Sequence, residues 1–154
     1  MDRTDCEILK CLSENARSTA SSVATRVNLS VSAVTERIHR MEERGVIRGY
    51  ALLLDPKAIG QETQAYLEVT LEGSEYGEGF CHAACAMEPI LRCDYFAGEF
   101  DVLLLAQAPD VETISKLHTA LKRIPGVKQI RIRFILRTEK NVTTALPVSH
   151  NENS

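Results

Sequence analysis

Between Ser30 and Arg40 the chain places three hydroxyls (Ser30, Ser32, Thr35), one carboxylate (Glu36) and two guanidinium groups (Arg37, Arg40). Hydroxyls and guanidinium groups bind phosphate oxygens and the acceptor edges of nucleic-acid bases, and a carboxylate can accept from a cytosine amino group. Arg17 and Arg44 add cationic charge on either side of this stretch. Catalytic chemistry has no comparable footing. His39, His82, His118 and His150 are scattered, and no paired carboxylates or nucleophile–base spacing stands out. The five cysteines (Cys6, Cys11, Cys81, Cys85, Cys93) contain no C-x-x-C pair, and an odd count fits reduced thiols. Cys81 and Cys85 stand four apart beside His82, but a metal site there lacks two further ligands, so we read them as small apolar side chains. No enzyme, no metal and no cofactor are expected.

Such polar groups act on a duplex only if an element presents them together. Ser30 is a good helix N-cap, and Val31, Val34, Ile38 and Met41 then recur at helical spacing as one narrow apolar stripe. The opposite side carries Ser32, Ala33, Glu36, Arg37 and Arg40. Glu42, Glu43 and Arg44 close the helix, and Gly45 supplies a left-handed stop. Upstream, Thr19 caps a short helix with Ala20, Val23, Ala24 and Val27 inward, and only Asn28-Leu29-Ser30 separates the two. Asp5 to Glu14, with Ile8, Leu9 and Leu12, supplies a third helix. Three short helices with a tight turn between the last two make a helix-turn-helix head, whose last helix fits a major groove roughly 12 Å wide. An ordinary three-helix bundle with a solvated polar face has the same periodicity, and at this point both readings stand.

At 154 residues, 44% apolar and 25% charged, the chain fits one large or two small domains with a real core. No run approaches the roughly 20 apolar residues of a membrane span, and no leader segment precedes the first helix, so a cytoplasmic location is expected. Net charge is -3, which weighs against a dedicated nucleic-acid binder, so its distribution matters more than its sum. Five arginines face three glutamates from Arg17 to Arg44, acids dominate from Glu62 to Glu112, and bases return from Lys116 to Lys140. The implied DNA footprint is modest, and useful affinity requires two heads acting together.

Val46 to Asp55 is β-rich and ends at Asp55-Pro56, which predicts a strand and hinge. Ala65, Leu67, Val69 and Leu71 alternate with polar neighbours as a half-buried strand. Tyr76, Phe80, Ala83, Ala84 and Met87 follow helical spacing up to Glu88-Pro89. Ile90–Ala97 and Val102–Ala108 read as strands joined at Gly98-Glu99-Phe100-Asp101, with Gly98 supplying a special backbone angle and Asp101 able to cap the turn. Asp110 caps a helix with Val111, Ile114, Leu117, Leu121 and Ile124 inward, ended by Pro125-Gly126, and Val127–Arg137 is a last strand. Strand, helix, strand, strand, helix, strand is the ferredoxin-like (βαββαβ) order. The predicted class is therefore α+β: a head over 1–45, a linker over 46–61, a ferredoxin-like body over 62–140 and a tail over 141–154. Val102 to Ala106 is apolar on both strand faces, while two helices cover only one face of the sheet. A second copy of the chain is the simplest cover; the tail, Asn141 to Val148, is the alternative. Asn141-Val142-Thr143 matches a glycosylation acceptor, without meaning in a cytoplasmic chain.

These motifs together resemble the Lrp/AsnC family of transcriptional regulators, from Asp2 to about Val148. Asp2-x-x-Asp5-x-x-Ile8-Leu9 is similar to the family's opening helix, and Arg17, Val23-Ala24 and Leu29-Ser30 to its second helix and turn. Val34-x-x-Arg37-Ile38-x-x-Met41-Glu42-x-x-Gly45-Val46-Ile47 resembles its recognition helix and exit, and Ala97-Gly98-Glu99-Phe100-Asp101 the turn of its effector domain. The resemblance implies a winged helix-turn-helix head, a ferredoxin-like effector domain, homodimers that can assemble as octamers of four dimers, and double-stranded DNA and a small amino acid as partners. It places the effector beside Gly98, Glu99, Phe100 and Asp101, where a glycine backbone allows close approach and a carboxylate can meet an ammonium. Ile132 stands where many relatives carry threonine, which implies a less polar effector or none. The resemblance leaves two other readings: an enzyme of the heme-pathway decarboxylase type on the same architecture, or an amino-acid sensor that does not bind DNA.

Overall fold

The computed structural model describes residues 1–142. The tail beyond them, with the fold-back alternative, Thr143 of the acceptor triplet and His150, lies outside the described residues. The chain divides into two compact units, one built on Met1–Leu53 and the other on Leu54–Glu139.

The first unit holds three helices, α1 (Arg3–Glu14), α2 (Ala20–Val27) and α3 (Val31–Glu43). Each starts at a side-chain cap. Asp2 accepts from the Asp5 N–H while Asp5 accepts from the Asp2 N–H, a reciprocal capping box; Thr19 accepts from Ser22 N–H and Ser30 from Ala33 N–H. Asn28 takes the left-handed conformation (φ 54°) that turns the chain from α2 towards α3, and Gly45 (φ 69°) ends α3 as predicted. Ile8, Cys11, Leu12, Val23, Ala24, Val34 and Met41 form the core, with Ile38 and Ile47 packed against it. Val31 departs from the predicted stripe. It sits at the first helical position, beside the turn, and is exposed.

The second unit holds β1 (Thr63–Leu71), α4 (Gly77–Cys85, led in by a 3-10 turn over Ser74–Tyr76), β2 (Ile90–Tyr95), β3 (Val102–Ala108), α5 (Val111–Leu121) and β4 (Val127–Phe134). The sheet order is β2-β3-β1-β4, every pair antiparallel, which is the ferredoxin-like arrangement. Ala65, Leu67, Val69 and Leu71 of β1 and Val102, Leu104, Ala106 and Ala108 of β3 are buried with Phe80, Ala84, Ile114, Leu117 and Leu121 of the helices. Each large aliphatic removed from water there contributes about 1.5–3 kcal/mol.

Several expected boundaries shift. Val46–Asp55 forms no strand among the described residues, and Leu52 and Leu53 are 82% and 89% exposed. β-rich composition favours extended backbone, but a strand needs a neighbouring backbone to pair with, and this segment has none here. α4 stops at Cys85, ahead of Glu88-Pro89; the chain turns instead through Met87 N–H to Ala84 C=O and Ile90 N–H to Met87 C=O. β2 and β4 end at Tyr95 and Phe134, where their ladders with β3 and β1 run out. Val111, in the first turn of α5, is exposed rather than inward.

Candidate functional site

On α3, Val34 and Met41 point into the head core, which turns Ser32, Thr35, Glu36 and His39 outward. The hydroxyls are locally braced. Ser30 Oγ lies 3.1 Å from Ser32 Oγ, and Thr35 Oγ1 donates to the Val31 carbonyl at 2.9 Å. A hydroxyl engaged in this way keeps accepting capacity for an outside donor. Further along, His39 pairs with Glu43 one turn on (3.3 Å), and Tyr50 O–H donates to Glu42 (2.9 Å). Burial, and then the Glu42 carboxylate, raise the Tyr50 phenol above its ordinary value. Ala20, Ser32, Thr35, Glu36, Ile38, His39 and Glu42 line an open groove between α2 and α3.

Arg37 is not on the exposed cationic face where periodicity puts it. Its Nη1 donates to Asp2 Oδ2 and to Asp5 Oδ1, both at 2.6 Å, and its side chain is 26% exposed. Asp5 is 6% exposed, the one buried charged residue among those described. The side chain is long enough to lie back over α1, so a helical wheel does not predict where its charge ends. Its hydrogen bonds to Asp2 and Asp5 raise the guanidinium's pKa, and the Asp5 N–H and then Arg37 hold the Asp2 carboxyl below its ordinary 3.8. Arg40 stands 3.9 Å from Asp5, while Arg17 and Arg44 are exposed. Asp2-x-x-Asp5 ahead of an apolar run is a capping-box pattern legible in the sequence, but that Arg37 closes onto it is not.

In the second unit, the segment from Phe96 to Asp101 joins β2 to β3. Phe96 N–H donates to the Asp101 carbonyl (2.7 Å), Asp101 N–H to the Val69 carbonyl (2.9 Å), and Leu71 N–H to Asp101 Oδ2 (2.7 Å). Asp101 therefore fastens the hairpin to the end of β1 and does more than cap its own turn. The Phe96 and Phe100 rings pack with centroids 5.3 Å apart. Glu99 is exposed. Gly98 does not take the left-handed conformation expected of it, and a Cβ there would meet open space. Ile132, opposite Leu67, is half-buried against the body core. Among the described residues no cluster of His, Cys, Asp or Glu could hold a metal ion, and no helix is long and apolar enough to cross a membrane.

Known proteins match both halves of the chain. Residues 1–48 match the winged helix-turn-helix DNA-binding family and residues 64–145 the Lrp/AsnC ligand binding domain. The leucine-responsive regulatory protein of Escherichia coli is 33% identical over 143 residues, covering 91% of this chain and 87% of its own. Among solved structures, a transcriptional regulator of Neisseria meningitidis in complex with L-Met is 33% identical, with a TM-score of 0.90 over 97% of this chain and 98% of that one. A feast or famine regulatory protein of M. tuberculosis complexed with L-methionine is 29% identical, with a TM-score of 0.87 over 95% and 99%. Capped helices, an outward polar face on α3, a ferredoxin-like sheet and these matches agree: the chain belongs to the Lrp/AsnC family of transcriptional regulators.

Proposed function

We propose that the chain regulates transcription by binding double-stranded DNA through α3, and that a small amino acid held near the 98–101 turn modulates that binding. The observation that carries the reading is the outward face of α3, where Ser32, Thr35 and Glu36 project from a helix anchored by Val34 and Met41. Ser32, Thr35 and Glu36 meet base edges, Ser30 and Arg40 the backbone, and Arg17 and Arg44 the flanking phosphates. Arg37 holds α3 against α1 and shapes the interface from behind. At the turn, Glu99 meets the effector's ammonium, Gly98 leaves room for close approach, Phe100 walls the site, and Asp101 keeps the loop on β1. The relatives solved with L-Met and L-methionine support an amino acid as the ligand class, and the half-buried Ile132 suits one with an apolar side chain.

The working form is a homodimer, or an octamer of four dimers, in the cytoplasm. Two heads on one dimer read a pseudo-palindrome with half-sites about 10 bp apart, and the effector acts by favouring one packing of dimers over another. Selection of bound duplexes from a random pool, with and without a mixture of amino acids, tests this. Two half-sites at that spacing, with a recovered set that changes when amino acids are present, are expected. Recovery of no preferred sequence at low salt overturns the DNA-binding reading, and an identical set under both conditions overturns the effector reading.

A further inference from the structure

Three of the five cysteines converge on one seam of the second unit. Cys81 and Cys85 lie one turn apart on α4, and Cys93 sits on β2, paired with Leu104, whose side chain is buried on the helix side of the sheet. Gly77 fixes how α4 and β2 align, because a Cβ at Gly77 would lie 2.6 Å from the Tyr95 ring. From Gly77 to Cys81 the helix rises about 6 Å. From Tyr95 back to Cys93 the strand covers about 6.6 Å. The two steps match, so Cys81 lies opposite Cys93, and both pack against the body core. Burial, and then the neighbouring Cys81 and Cys85 thiols, push the Cys93 thiol up to about 12. The reading of Cys81 and Cys85 as small apolar side chains suits Cys81, packed against the core, but not Cys85, which is exposed.

We propose that Cys81 and Cys93 form an oxidisable dithiol, a modification site at which hydrogen peroxide joins α4 to β2 by a disulfide. The Cys81 thiolate attacks one peroxide oxygen; an S–O bond forms, the O–O bond breaks, and the departing hydroxide takes up a proton as water. The Cys93 sulfur then attacks Cys81 Sγ. The S–S bond forms as the S–O bond breaks, and the Cys93 proton leaves with the hydroxide as a second water. Two thiols lose two electrons and the peroxide gains them. Cys85 is not the partner of Cys81, because residues four apart on a helix keep their Cβ atoms about 5–6 Å apart, whereas a disulfide needs about 3.5–4.5 Å.

Incubating the full chain with hydrogen peroxide, blocking residual thiols with iodoacetamide and mapping the digested peptides tests this without requiring any variant to fold. The expected product has lost two of its five thiols and carries a peptide pair linked through Cys81 and Cys93. Cys93→Ser is expected to abolish the link and to let dimedone trap Cys81, and Cys85→Ser to keep the link. Full recovery of free thiols in the unsubstituted chain overturns the proposal. So does a link through Cys85, a link between chains in place of Cys81–Cys93, or one that survives Cys81→Ser.

Discussion

Arg37 shows how one residue changes role between a helical wheel and a folded head. A guanidinium that contacts Asp2 and Asp5, each at 2.6 Å, must release two charge-assisted hydrogen bonds before it can reach a base. Asp5, buried, would then keep only the more distant Arg40, 3.9 Å away. Arg37→Ala should therefore cost about 1–3 kcal/mol of head stability, trimmed on the Asp2 side by solvent. The DNA sequence preferred by the surviving folded protein should not change. Urea unfolding measures the first and selection of bound duplexes the second; an altered preference at one base would put Arg37 back at the interface. The clamp also has a pH signature. The Asp2 carboxyl is depressed below 3.8, so its contribution is complete above that value and is lost as pH falls through the lower folded value. Acid titration of the head should show destabilisation beginning below about pH 4 that Asp2→Asn removes. At the other site the two carboxylates should separate. Asp101→Ala orphans the Leu71 N–H and should cost about 1–3 kcal/mol of stability. Glu99→Gln, at an exposed position, should leave stability within about 0.5 kcal/mol while weakening any amino-acid effect on DNA binding. Paired thermal melts and DNA titrations distinguish the two.

Element by element, what could be read in advance depended on whether an element's own residues determine it. The second and third head helices were legible because Thr19, Ser30 and Gly45 mark their ends locally and Val34, Ile38 and Met41 repeat at helical spacing, whereas α1, read from Asp5, begins at Arg3 on the Asp2 cap. β1 was legible because period-two alternation survives burial of one face, and β3 because a short apolar run bounded by turn signals reads as a strand. Val46–Asp55 was not, because pairing depends on a partner strand that lies outside the segment. The candidate site divides the same way. The outward Ser32, Thr35 and Glu36 follow from helical period, but the inward reach of Arg37 and the hold of Asp101 on β1 are tertiary contacts with no local signature. Glycines show the contrast most sharply. Gly126, between α5 and β4, has φ 82°, and a Cβ there would lie 2.1 Å from Tyr76. Gly98 has neither constraint. Gly126→Ala should lose at least about 2 kcal/mol from backbone strain and overpacking together, and Gly98→Ala less than about 0.5 kcal/mol. Chemical denaturation of both variants checks the pair, and equal losses would mean that the turn at Gly98 is structural after all.

For the whole molecule the deciding feature is the sheet face that α4 and α5 leave uncovered. Leu103 and Leu105 of β3 lie on it beside Tyr66, which is 40% exposed. Glu68 pairs with Arg133 across β1 and β4, and Arg92 with Asp94 along β2, so an apolar centre is flanked by charges of both signs. A patch of this kind suits an isologous contact, in which each copy sets its own cations against the other's carboxylates. On that reading Leu105→Glu places a carboxylate at the middle of the contact, facing its own image. The helix-side core, built on Leu104 and Leu67, is untouched, so circular dichroism and the cooperativity of unfolding should be preserved. Sedimentation should show a single subunit where the unsubstituted chain shows a dimer or larger. A lone head keeps its contacts but loses the effective concentration supplied by its twin, so affinity for a two-half-site duplex should fall by about 10²–10⁴, while affinity for an isolated half-site stays the same. Equal losses on both duplexes would mean that Leu105 acts through folding. A dimer that persists with full affinity would mean that the copies meet through another surface, with the exposed Leu52 and Leu53 the next residues to substitute.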